Sequence, residues 1–162
     1  MALLWAAVAC ATPSPGLGRS VDFIDGSGRE GTLAAFAGKV VVLDVCASWA
    51  AACNLNARVL DQVAAALAAK GEHDVVMVTL LLDEGALGPQ ALRSYREIFG
   101  VAHPVFLAGS RVRAGTSVLG DASYVPRVVL FDRRGAVHVD DSGGVLHVEG
   151  LLARVLPLLR AR

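Results

Sequence analysis

Two nearly continuous apolar runs, Lys39 to Val45 (KVVVLDV) and Asp74 to Leu82 (DVVMVTLLL), constrain this chain more than any other feature. Runs of Val and Leu without polar alternation suit strands covered on both faces, the condition found in parallel sheets. Parallel neighbours cannot be joined by a tight turn and need a crossover of a dozen or more residues, usually a helix. The segment between the runs supplies it. Ala51 to Lys70 carries Leu55, Val59, Val63 and Leu67 at four-residue spacing and closes on Lys70-Gly71, which predicts an amphipathic helix. The three pieces form a βαβ unit.

Around that unit the pattern stays regular. Val21 to Ile24 reads as a short strand entering a turn at Asp25-Gly26, and Thr32 to Phe36 leads on to Gly38. Pro89 opens a second helix with Leu92, Tyr95 and Phe99 on one face and Gly100 as its stop. Pro104 to Ala108 suits a short strand. Arg127 to Phe131 and Ala136 to Val139 flank Asp132-Arg133-Arg134-Gly135, an antiparallel hairpin turn. Leu151, Leu152, Val155, Leu156 and Leu159 predict a last helix, strained at Pro157. The expected class is α/β: a central mixed sheet, parallel at its middle and antiparallel at the hairpin, flanked by helices on both faces.

The length of 162 residues suits one domain, expected over residues 20–162. Residues 1–19 are set apart as a signal- or lipoprotein-like segment and a linker. Met1 to Ala11 (MALLWAAVACA) is apolar but too short for a membrane-spanning helix, which needs ~20 residues. Two readings of it stand side by side. Val8-Ala9-Cys10 matches the end of a bacterial lipoprotein signal, with Cys10 as a point of lipid attachment to a membrane; alternatively it is an apolar stretch of no consequence, since no Lys or Arg precedes it.

Charge excludes one large class of function. With 15 Lys+Arg against 15 Asp+Glu and no basic stripe, the chain lacks the electrostatic footprint of a nucleic-acid binder. Its three cysteines, Cys10, Cys46 and Cys53, form no disulfide scaffold and no paired CxxC zinc motif, and its four histidines are dispersed. No metal site and no cofactor is expected. Gly26 to Gly31 (GSGREG) satisfies the GxGxxG dinucleotide fingerprint, but the glycines must open a long helix to hold a pyrophosphate, and Thr32 to Gly38 is too short for one. It reads as a surface turn. Arg111, Arg113 and Arg127 form a loose basic group, suited either to local ion pairing or to docking an acidic partner.

The chemistry concentrates in Gly38 to Leu60, GKVVVLDVCASWAAACNLNARVL. A strand delivers the chain to Ala47-Ser48-Trp49, and a helix starts near Ala50 to Ala52, so Cys53 falls in its first turn. Unpaired N–H groups and the helix dipole favour a thiolate there. A small buried cysteine acting as a hydrophobe is the plain alternative for Cys53 and Cys46.

This segment resembles the active-site region of thioredoxin-like proteins, especially the TlpA/ResA-type cell-envelope thiol-disulfide oxidoreductases, in which WCxxC opens a helix. The resemblance spans Val21 to about Leu159. It implies a thioredoxin-like fold, exchange with a thiol- or disulfide-containing protein partner, and a bacterial periplasmic or cell-envelope setting, with the cytoplasm as the alternative. It implies further that Trp49 and Cys53 are active-site positions, that Asp44 is the buried acid serving Cys53, and that Val125-Pro126 is a cis-proline facing the site and binding substrate.

The motif is altered where it matters. Trp49-Ala50-Ala51-Ala52-Cys53 places Ala50 at the position of the exposed nucleophile, and a methyl group cannot form the thiolate that exchange requires. Dithiol turnover is therefore expected to be impaired or absent. The readings that remain are a family member without turnover, a redox-inactive binding module using the cis-proline groove, and exchange through Cys53 alone or with Cys46. A Cys46–Cys53 disulfide needs Cα atoms within ~7 Å, whereas a strand end and a first helical turn lie apart unless the loop curves back. A peroxiredoxin-like reading wants a Thr at position 50 and finds Ala50.

Overall fold

The computed structural model of the chain describes residues 20–84 and 88–161; the expected leader and Cys10 lie outside the described residues. In chain order the elements are β1 (Asp22–Ile24), β2 (Glu30–Thr32), a 3₁₀ turn (Leu33–Phe36), β3 (Val40–Cys46), α1 (Ala51–Ala69), β4 (Val75–Leu81), α2 (Gly88–Phe99), β5 (Val105–Ala108), α3 (Ser110–Arg113), β6 (Arg127–Phe131), β7 (Val137–Ser142) and α4 (Val148–Arg160). The strands form one sheet in the order β2-β1-β5-β4-β3-β6-β7. The two apolar runs are parallel neighbours, registered from Val40 beside Val75 to Cys46 beside Leu81. β5 continues the parallel centre, while β6 and β7 add antiparallel strands on one side and β1 and β2 on the other.

Alternation along the strands divides the core. Val40 and Val42 face Leu60, Val63 and Leu67 of α1 and Leu151, Val155 and Leu159 of α4. Val41, Leu43 and Val45 point the other way, into a layer closed by Leu33 of the 3₁₀ turn, Val112 of α3, and Leu119 and Ala122. Helices thus lie on both faces, but unequally: the long ones share a face, and short segments cover the other. Where β3 ends, a third cluster gathers Cys46, Cys53, Ala57, Leu81, Leu92, Tyr95, Val105 and Leu107 between α1, α2 and the sheet.

A polar clamp fixes α1 to the sheet. Asp61 accepts from the backbone N–H groups of Ala102 (2.9 Å) and His103 (3.1 Å) and meets His103 Nδ1 at 2.6 Å. The other ring nitrogen meets Thr79 Oγ1 of β4 at 2.8 Å. Burial is the main reason the imidazole is held below its ordinary pKa.

The differences from expectation have physical causes. β2 and α3 are three and four residues long, too short to carry a periodicity. β7 runs on to Ser142 because its acidic residues are used: Asp140 pairs with Arg127 and Asp141 with Arg154. α4 passes through Pro157 to Arg160, giving up one helical donor, since proline has no N–H. The GSGREG segment is a turn joining β1 to β2, with Asp25 accepting from the N–H groups of Ser27 and Arg29.

Burial on α1 is one-sided: Leu60 is wholly buried, whereas Leu55 is 54% exposed. Leu60→Ala is expected to cost about 3 kcal/mol, in the range for a buried leucine, and Leu55→Ala within ~0.5 kcal/mol of zero. Urea unfolding midpoints of the two variants check this.

Candidate active site

The site is built where β3 meets α1. After Cys46 the chain turns, with Ser48 donating from its N–H to Asp83 at 2.9 Å and from its hydroxyl to the same carboxylate. Ala50 is the N-cap of α1, in extended conformation and without a side-chain cap. Its carbonyl accepts from Cys53 N–H at 3.0 Å. Trp49 stands 77% exposed just before this cap. The loop curves back, which brings together the two sulfurs expected to lie apart. Both thiols are free and wholly buried, and they share one buried cluster close enough for each to perturb the other.

The electrostatics follow from that proximity. Cys46 Sγ donates to Asp44 Oδ2 at 3.0 Å, and Ala47 N–H donates to Cys53 Sγ at 3.4 Å. The neighbouring Cys46 does most to draw the Cys53 thiol below its ordinary pKa, against an opposing effect of burial. Burial first, then Cys53 and the nearby acid, drive Cys46 the other way. Asp44 is pushed up to about 7 by burial, with the Cys46 hydrogen bond pulling it down.

Val125-Pro126 is a cis peptide, as expected from its place before β6. Ala50 and Val125 both pack on the cluster that contains the two cysteines, so the α1 cap and the cis-proline loop meet over the same patch. Tyr124 projects beside them, 71% exposed. Arg127 holds this loop in place, donating to the carbonyls of Leu119 (2.7 Å) and Asp121 (2.9 Å) and bidentately to Asp140. Arg113 is likewise spent on the carbonyls of Ala108, Leu82 and Asp83. Both cations are used inside the molecule, so two of the three arginines read as a basic group from the sequence are loop anchors.

Comparison with solved structures places this geometry. A thiol:disulfide interchange protein of the thioredoxin family from Chlorobium tepidum superposes with a TM-score of 0.68 at 21% identity, over 93% of this chain and 99% of that one. A secreted disulfide oxidoreductase of Mycobacterium tuberculosis gives 0.65 at 21% identity, over 85% and 96%. The thioredoxin domain of a thiol-disulfide oxidoreductase from Bacteroides vulgatus gives 0.67 at 15% identity, over 86% and 93%. The chain has the thioredoxin-like fold. No protein-family model and no curated protein matches its sequence.

Within this thioredoxin-like fold, Asp44, Cys46, Ala50 and Cys53 occupy one neighbourhood, and Val125-Pro126 borders it. Two further residues belong to the same neighbourhood: Asn56, at a position where the family resemblance expects a different residue, and Tyr95, from the apolar face of α2. Asn56 is wholly buried and accepts from Leu146 N–H at 2.8 Å, tying α1 to the segment before α4. Tyr95 from α2 is buried in the cysteine cluster with no hydrogen bond to its hydroxyl. Asn56 follows Cys53 by three residues on the inward face of α1, a polar residue where the pattern wants an apolar one; that mismatch was the available signal. Tyr95 read simply as apolar.

A carboxyl whose pKa rises from 3.8 unfolded to about 7 folded binds more protons in the native state, so its cost to stability develops as pH climbs from 4 to 7 and is complete above that. Asp44→Asn, which mimics the protonated acid, is expected to raise stability at pH 8 by about 3 kcal/mol, with the gain shrinking steadily toward pH 4. Denaturant unfolding across that range measures it.

Proposed function

We propose that this protein is an envelope-type thioredoxin-fold protein of the TlpA/ResA kind that engages extracytoplasmic proteins carrying thiols or disulfides without carrying out dithiol turnover on them. One observation carries the reading: the partly exposed cap of α1 is Ala50, while Cys46 and Cys53 are wholly buried. Exchange begins with a thiolate attacking a sulfur of the partner, and neither buried thiol is open to a protein disulfide. The acid and the second cysteine of the dithiol machinery remain, at Asp44 and Cys53, behind a surface that carries no nucleophile.

What remains on the surface suits binding. Trp49 and Tyr124 are exposed aromatic side chains on the two segments that meet over the cluster, and aromatic side chains are favoured anchors at interfaces. No main-chain hydrogen bond joins Val125 to another described residue, leaving its N–H and C=O for an extended partner segment, as in strand addition. A recess of about 140 Å3 beside Pro126, lined by Gly143, Gly144, Leu146, His147 and Arg154, offers space for a side chain of that segment. The chain is thus read as a capture module derived from an oxidoreductase, with lipid attachment at Cys10 as its anchor to the envelope.

In an insulin-reduction assay with dithiothreitol, the protein as it stands is expected to match the uncatalysed background. Ala50→Cys is expected to raise the rate at least tenfold, because it puts a thiol at the helix N-terminus, exposed and in reach of Cys53. Turnover by the unsubstituted chain at a comparable rate would overturn the proposal.

A further inference from the structure

The buried thiols form a site of their own, beyond the capture reading and independent of it. We propose that Cys53 and Cys46 are a hydroperoxide-reducing pair: a small peroxide oxidises Cys53, and Cys46 resolves it to an intramolecular disulfide that a small dithiol reduces again.

The geometry supplies each part. Cys53 lies in the first turn of α1, where the helix dipole favours a thiolate, and its sulfur accepts from Ala47 N–H at 3.4 Å. The resolving sulfur lies in the same buried cluster, and Asp44 Oδ2 sits 3.0 Å from that second sulfur as a proton acceptor. The surroundings of the two sulfurs are more polar than a core needs. Asp44 Oδ1, Asn56 Nδ2 and Tyr95 OH are buried without hydrogen-bond partners, unusual for groups that lose water on folding, and Tyr95 shares a cluster with both cysteines. Such groups can hold a molecule of water or peroxide size. The cover over Cys53 includes the small side chain of Ala50 at the cap of α1, which packs on the same cluster.

The chemistry balances. The Cys53 thiolate attacks one peroxide oxygen and the O–O bond breaks; sulfur loses two electrons to become a sulfenic acid, and the leaving hydroxide takes up a proton as water. Cys46 sulfur then displaces hydroxide from that sulfenic acid, its proton passing to Asp44 and on to the leaving group, so that an S–S bond and a second water form. In sum, two thiols and one hydrogen peroxide give one disulfide and two waters. The site selects by size: small hydroperoxides enter, and glutathione disulfide or a protein disulfide does not.

The test uses the full chain with Cys10→Ser, which leaves two sulfhydryls. Brief exposure of the folded protein to hydrogen peroxide should remove both titratable thiols, lower the intact mass by two hydrogens, and give a Cys46–Cys53 linked peptide on digestion; dithiothreitol should restore both. Oxidised glutathione under the same conditions should leave both thiols in place. In Cys46→Ser on that background, Cys53 should stop at a sulfenic acid trapped by dimedone. The parent protein answers even if that variant fails to fold. Three outcomes overturn the proposal: thiols that survive peroxide while folded yet titrate once unfolded, sulfinic acid on Cys53 without the linked peptide, or ready glutathionylation of Cys53.

Discussion

Strand β3 is buried along all seven of its residues, and the rest of the molecule is arranged by that fact. A strand covered on both faces and paired on both edges, with β4 on one side and β6 on the other, has no free direction in which to slip. A shift of one residue would exchange its two faces and send Asp44 and Cys46 into the layer of Val41, Leu43 and Val45. Register therefore fixes the placement of the acid and the first sulfur, and the turn after Cys46 then fixes the second. The site is a consequence of strand packing.

Placing a carboxyl and two thiols at the end of such a strand carries a physical consequence. Burial raises Asp44 and Cys46 because neither charge is solvated, yet the hydrogen bond from Cys46 to Asp44 and the closeness of Cys53 let one site relieve another. Cys53 alone is drawn toward the thiolate, since it accepts from Ala47 N–H at the end of a helix whose dipole favours negative charge. The surface above has a different character: Trp49, Tyr124 and the cis-proline loop present apolar and main-chain groups with no sulfur among them. Between this surface and the buried thiols lies the small side chain of Ala50.

Much of this was legible in the chain. The apolar runs and the apolar spacing along 51–70 predict the βαβ unit because such long elements repeat their pattern several times, although the buried face of α1 runs through Cys53, Ala57, Leu60, Val63 and Leu67 and leaves Leu55 exposed. Val125-Pro126 before an apolar strand marked the cis peptide through resemblance. The short elements β2 and α3 left no pattern, being fixed by their pairing with β1 and by the carboxylate of Asp22, which accepts from the N–H groups of Arg111 and Val112. Arg113 and Arg127 looked like surface charge because nothing in a sequence reveals which carbonyls a guanidinium will meet. The placement of Asn56 and Tyr95 was hidden for a related reason: each is compatible with an ordinary helix, and only the packing of α1 and α2 against β3 turns them inward.

By itself, then, the sequence determined the elements, the absence of a thiol at position 50 and the presence of Cys53 in a first helical turn, since these are properties of local order and identity. The tertiary structure decided that Cys46 and Cys53 share one cluster, that both are buried, and that the Cys46 thiol donates to Asp44. Those facts depend on the curvature of one turn and the approach of α2, distances between groups that are remote along the chain or separated by a bend, and no spacing rule contains them.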